Sequence, residues 1–373
     1  MKVDCNMKNH LKNIFLHINL ALLATLMSTT VFPQLEELTP ALGIEELRGL
    51  TGEDDRPNLS EMEDASKYIN IEELTTLQKL KEERITELIK RQIEELKNPK
   101  YRVLGLLEIV NKLKDGKPLP DYAVAISIDD AFLSVYKNAW PILQNQNIPF
   151  TLFVATDPID QGLSGYMNWD QIRELKRKGV EIGSQTRSHP HMHKLTEQEI
   201  RKEINYSNSR FEEELGEKPK LFAYPYGEYN LVAKKVAEET FVASFGQHSG
   251  SAHPSIGFHE LPRFAMNETY GSLDRFLLAA GSLPFVVSEI HPKNPVLIQN
   301  PPSYGFTIEK DFPQINQLQC FVSGIGEAKV TVIGKRVEVR SDKLFYRPRH
   351  RVNCTFPGPD GRWHWFGRQF LLN

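Results

Sequence analysis

Cysteine is scarce in this chain, three in 373 residues, so covalent bridging is limited to a single pair. No long basic block accompanies the formal net charge of -3, which excludes the phosphate-neutralising surface of a nucleic-acid binder. Nothing repeats at a fixed period, which argues against a solenoid. Beyond the amino terminus no apolar run is long enough to cross a bilayer. What is present is ordinary for a globular protein, with 40% hydrophobic and 25% charged residues, and the length allows one large domain plus additions.

Lys2, Lys8 and Lys12 lead into an apolar run over residues 14–26, broken by His17 and Asn19 and followed by Ser28, Thr29 and Thr30. That order resembles a secretory signal peptide, here assigned to residues 1–31, and predicts an exported chain, periplasmic or extracellular, with no stable membrane span after processing. An uncleaved anchor is the alternative. Cys5 would leave with the segment. Cys320 and Cys354 then remain as a pair suited to a disulfide in an oxidising compartment, against the alternative of two buried thiols.

Residues 32–65 are acidic and without period, as in a linker. Over 71–96, Leu74, Leu77, Leu80, Ile85, Leu88, Ile89 and Ile93 fall at helical spacing and predict a helical N-terminal extension, 66–120. From 121 to 291, short apolar runs alternate with helical patterns, which implies a parallel sheet, open or closed into a barrel. Asn168 caps a helix over 169–178, and Thr196 with Glu199 has capping-box spacing for one ending before Gly216. Prolines thicken over 292–317, read as a linker. The remaining stretch, 318–373, predicts about five short strands and a small C-terminal β-sandwich, with Asp360-Gly361 as a hairpin turn.

Three stretches carry chemistry. The run Ala123-Val124-Ala125-Ile126-Ser127-Ile128 is a strand that ends in Asp129-Asp130. Successive strand side chains oppose one another, so both carboxylates serve one site only if the backbone leaves the extended form near Ala131. Otherwise one caps the next helix and the other is solvated. His189, His191 and His193 follow another strand end; they suit metal ligation or an exposed loop. Tyr224-Pro225-Tyr226-Gly227 makes a tight turn whose N–H groups suit an oxyanion, or simply a turn with packed aromatics.

In this order and at these strand ends, the three resemble the polysaccharide deacetylases of the NodB-homology type, over about 121–291. The resemblance implies a distorted (β/α) barrel and metal-dependent removal of acetyl from N-acetylated sugar polymers. It implies Asp129 as general base, Asp130 and His189 as ligands of a divalent metal, expected to be zinc, and the Tyr226 amide as oxyanion donor. Pro225, Tyr224 and Trp169 would contact substrate. A late motif ending in a catalytic His maps onto Val286-Val287-Ser288-Glu289-Ile290-His291, with His248 as competitor.

Two departures stand out. Gln185 occupies the place of the first metal-binding His, and a neutral amide oxygen is a poorer zinc ligand than imidazole; His193 or His191 would have to step in. Ala223 replaces the Arg that positions the base. The leading expectation is an exported deacetylase acting on an N-acetylglucosamine polymer. The alternative is an inactive, glycan-binding barrel. A glycosidase is disfavoured, because adjacent Asp residues seldom reach the ~5 Å opposed geometry that reaction needs.

Overall fold

The computed structural model describes residues 71–267 and 269–372. The expected export segment 1–31 and the linker 32–65 lie outside the described residues. The predicted amphipathic stretch is one helix, α1 (Ile71–Glu95), and its end joins the interior through Ile93 and Leu96 beside Tyr101. Strand β1 (Arg102–Val103), helix α2 (Leu106–Lys114) and strand β2 (Ala123–Val124) follow, with β1 and β2 paired in parallel.

Ala125 separates β2 from β3 (Ile126–Ile128), where the main parallel sheet begins. Its order is β3, β4 (Phe150–Val154), β5 (Glu181–Ser184), β6 (Leu221–Ala223) and β7 (Ala243–Phe245). Parallel neighbours need crossovers, and helices α3 (Trp140–Asn145), α4 (Thr156–Asp160), α5 (Trp169–Arg177), α6 (Glu197–Leu215) and α7 (Leu231–Thr240) supply them. The two parallel ladders give the curled half-barrel with helices that the sequence predicts. Central β4 is buried along its whole length, as both-face coverage requires.

Helix limits follow local chemistry. Asn168 with Gln171 and Thr196 with Glu199 form reciprocal capping boxes, and Gly216 closes α6 in the left-handed region at φ 78°. One helical stretch is irregular: the chain is π-helical over Val135–Ala139 before α3, with Trp140 N–H bonded to Val135 O. Pro141 has no N–H to offer the preceding turn, which accounts for the widening.

After α8 (Leu273–Gly281) comes an eight-stranded sheet in the order β8 (Leu283–Pro284), β15 (Trp363–Leu371), β14 (Arg349–Pro357), β11 (Gln319–Val322), β12 (Gly326–Ile333), β13 (Arg336–Arg340), β10 (Tyr304–Ile308) and β9 (Val287–His291). Phe306 meets Phe366 and Tyr304 meets Phe370, each at 5.2 Å between ring centroids, although β10 and β15 are not neighbours in the sheet. The sheet therefore folds over itself around one core. Cys320 and Cys354 face each other on β11 and β14 and are disulfide-bonded.

This module is larger than the sequence suggests, because β8, β9 and β10 belong to it. Pro292, Pro295, Pro301 and Pro302 sit in the connection between β9 and β10, not in the strands, and they mask two short alternations there.

Candidate functional site

The site is assembled at the carboxyl ends of β3, β5, β6 and β7, the rim where parallel α/β sheets present loops. Eight non-glycine residues have positive φ among those described, and five cluster here: Asp130, Ala131, Thr186, His189 and Tyr226. Such strain persists where surrounding contacts over-determine the backbone. The φ values of 73° at Asp130 and 51° at Ala131 are the departure from extended geometry that lets both carboxylates face one side.

Asp129 is held by a fork. Arg263 Nη1 and Nη2 donate to its two oxygens at 2.7 and 3.0 Å, and Gln247 Nε2 donates to Oδ2 at 3.1 Å. Arg263 is itself fixed by Ser127 Oγ at 3.0 Å and Gly246 O at 3.0 Å. A carboxylate offers about four acceptor positions, so three donors leave roughly one free.

Asp130 meets a different partner. Its Oδ1 lies 3.5 Å from His189 Nε2, so a group leaving β3 and one following β5 converge. Burial, then the Asp129 charge, raise the Asp130 carboxyl to about 7, against the opposing pull of Arg263 and Gln185. Burial lowers His189, so its ring is neutral at neutral pH. Gln185 is fully buried; its Oε1 accepts from Asp130 N–H at 3.3 Å, and its Nε2 has no partner among the described residues. Asp130 and His189 suit a divalent ion. The third donor would be an amide oxygen, which favours a harder ion than a second imidazole would.

Tyr226 sits in the left-handed region at φ 57° within the turn after β6. Its N–H has no acceptor among the described residues, while its carbonyl accepts from Arg349. Gly227 follows, and a Cβ there would meet Gln247 N at 2.3 Å. Only glycine lets Gln247 come close enough to reach Asp129. Strands β14 and β15 brace this turn: Gln369 donates to Gly227 O, and Arg351 Nε donates to Gln247 O at 3.0 Å.

His193 does not join Asp130. It lies instead with His191 against Glu228, whose Oε2 is 2.6 Å from His191 Nδ1 and 3.3 Å from His193 Nδ1. The Tyr226 ring stacks on His191 at 4.2 Å and meets His189 at 4.5 Å, and so touches both groups.

The structure places the expected substrate residues in the interior. Tyr224 is fully buried with its hydroxyl on His259 O at 2.9 Å, and Pro225 is buried beside it. Trp169 packs edge-on against Phe211 and donates to Asp160 Oδ1 at 2.8 Å. It belongs to the apolar stripe of α5 with Ile172 and Leu175, so a helix-facing aromatic serves the core rather than a ligand. The exposed rings of the rim are Phe132 and Tyr226, with Tyr166 5.0 Å from Phe132.

His291 is exposed at the end of edge strand β9, and among the described residues no hydrogen bond or ion pair links it to Asp129 or Asp130. His248 is buried, and burial together with the Arg368 charge pulls it down to about 3, so it carries no proton to give near neutrality. Arg263, Gln247 and Glu228 were not visible as site residues. Glu228 borders the Pro-Tyr-Gly turn, a signal that could have found it; Arg263 and Gln247 carry none.

Residues 116–243 match the family described as polysaccharide deacetylase. The Bacillus subtilis (strain 168) protein YxkH, named for polysaccharide deacetylation, is 27% identical over 164 residues, 44% of this chain and 58% of that protein. A Staphylococcus aureus (strain MRSA252) poly-β-1,6-N-acetyl-D-glucosamine N-deacetylase is 33% identical over 192 residues, 48% of this chain and 65% of that protein. The chain thus spans less than two thirds of either relative. Among solved structures, the Streptococcus pyogenes deacetylase PplD in complex with acetate aligns with a TM-score of 0.49 at 22% identity, covering 52% of this chain and 86% of that one.

Proposed function

We propose that this chain, whose residues 116–243 match the polysaccharide deacetylase family, hydrolyses the acetamide of an N-acetylglucosamine polymer outside the cytoplasm. The observation that carries this reading is the convergence of Asp130 and His189, 3.5 Å apart, beside a braced Asp129 and an unpartnered Tyr226 N–H. The names of the Staphylococcus relatives support a β-1,6-linked polymer as the first to test.

Asp130, His189 and Gln185 would hold a divalent ion, which supplies Lewis acidity and a bound water with pKa lowered toward ~7. Asp129 uses its remaining lone pair to take the proton of the attacking water. Tyr226 N–H donates to the oxygen that gains charge as the carbonyl becomes tetrahedral. When the C–N bond breaks, Asp129 returns its proton to the leaving nitrogen, which gives acetate and a free amine. Phe132, Tyr166 and Tyr226 offer rings on which a sugar face can stack.

One observation favours a second reading, an inactive glycan binder: Gln185 Oε1 is engaged by Asp130 N–H rather than free for an ion. Acetate release from β-1,6-linked N-acetylglucosamine oligomers, with Zn²⁺, Co²⁺ or Mn²⁺ added, separates the two. Activity that falls by about 10²- to 10⁴-fold in Asp129→Asn supports hydrolysis. No acetate from the wild type or from Gln185→His, with oligomer binding kept, favours the binder.

A further inference from the structure

We propose that His191, His193 and Glu228 form a second site for a divalent transition-metal ion, separate from the Asp130–His189 pair. The inference stands on its own geometry and does not require the deacetylase reading.

One ligand atom from each residue lies within 4.8 Å of the others. Ligand atoms held at about 2.1 Å by one tetrahedral ion lie roughly 3.4 Å apart, so His191 Nδ1, 2.6 Å from Glu228 Oε2, would have to shift outward, and its 46% exposed side chain has room to do so. The buried members point to a ligand. His193 is 4% exposed, and its buried Nδ1, 3.3 Å from Glu228 Oε2, makes no well-aligned hydrogen bond among the described residues. Glu228 is 7% exposed and sends Oε2 toward both imidazoles. Its other oxygen, Oε1, is held by Arg349 Nη1 at 3.2 Å, an outer contact that fixes the carboxylate with Oε2 facing the two imidazoles. The 3-10 turn Met192–Lys194 is pinned by Asn230 Nδ2, which donates to His193 O at 3.1 Å, so the two imidazoles are offered from a set backbone.

Two neutral nitrogens and one carboxylate oxygen make a donor set for Zn²⁺, Co²⁺ or Fe²⁺ with an open position, and a poor one for Mg²⁺ or Ca²⁺, which take oxygen ligands. The ion would tie the loop bearing His191 to the turn bearing Tyr226, whose ring already stacks on His191.

The test uses the full chain, stripped by chelator, given excess Zn²⁺ and then passed through zinc-free gel filtration before the bound metal is counted. Co²⁺ loading adds a visible absorption band as a second readout. Wild type should retain one more ion per chain than His191→Ala or Glu228→Gln, and Asp130→Asn should keep that ion and its Co²⁺ band. His191 is half-exposed, so its variant should fold, as circular dichroism can verify. Equal metal in wild type, His191→Ala and Glu228→Gln would overturn the proposal, as would loss of all bound metal in Asp130→Asn alone. If the deacetylase reading fails, no acetate is released while the ion lost in His191→Ala is still present in wild type.

Discussion

Arg263 reaches Asp129 from 134 residues away. Its forked guanidinium fixes both carboxylate oxygens, a geometry that a lysine ammonium cannot reproduce. If the proposed function holds, replacing Arg263 with Ala should lower kcat on N-acetylglucosamine oligomers by about 10²-fold with little change in KM, because the placement of the proposed base Asp129 is lost and substrate binding is not. Arg263→Lys should recover only part of that loss. Equal kcat in wild type and Arg263→Ala would show that Gln247 alone positions the base. No feature of the letters around Pro262-Arg263 announces this role, since the pairing exists only once the loop after β7 has folded back over β3. The Asp129-Asp130 pair is legible as the end of a strand, but the positive φ at Asp130 and Ala131, which the letters do not show, decides between a shared site and a helix cap.

At the scale of elements, helix ends were the most readable feature. The capping residues Asn168 and Thr196 act on backbone N–H groups two or three residues away, so their signal is local. Strands β9 and β10 were hidden because a two-strand pairing across a proline-rich connection leaves little periodicity in either partner. The C-terminal sheet also proves to be a brace for the site: Arg349 and Arg351 on β14 and Gln369 on β15 grip the loops after β6 and β7. The Cys320–Cys354 bond ties β14 to β11 across 34 residues of chain. Loop closure of that length corresponds to about 3–4 kcal/mol by chain entropy. The Cys320→Ala/Cys354→Ala variant should lower the denaturant midpoint accordingly, and an unchanged midpoint would show that the β11–β14 ladder needs no bridge.

For the molecule as a whole, acid sensitivity follows from buried imidazoles. His248 is held down to about 3 by burial and the Arg368 charge, and His259 to about 4 by burial and the Lys114 charge. An unfolded histidine titrates near ~6.5, so below that pH the unfolded chain binds protons that the folded one refuses. Stability contributed by these groups is fully present above about pH 6.5 and is lost as pH falls toward 4 and then 3, with a slope of up to roughly 1.4 kcal/mol per pH unit for His248. Denaturant unfolding at pH 7, 5.5 and 4.5 should show the decline, and His248→Gln should reduce its slope; parallel declines in both proteins would assign the loss to His259 or to carboxylates and not to His248. The sequence by itself determined the alternation of strands and helices, the helix caps and the strand-end positions of Asp129, Asp130, His189 and Tyr226, because these depend on periodicity and on neighbours a few residues apart. Only the tertiary structure decided that Arg263 holds Asp129, that His193 leaves Asp130 for Glu228, and that Trp169 and Tyr224 are core. Each of those depends on which distant surfaces meet, and burial and charge pairing act between groups that are close in space, not along the chain.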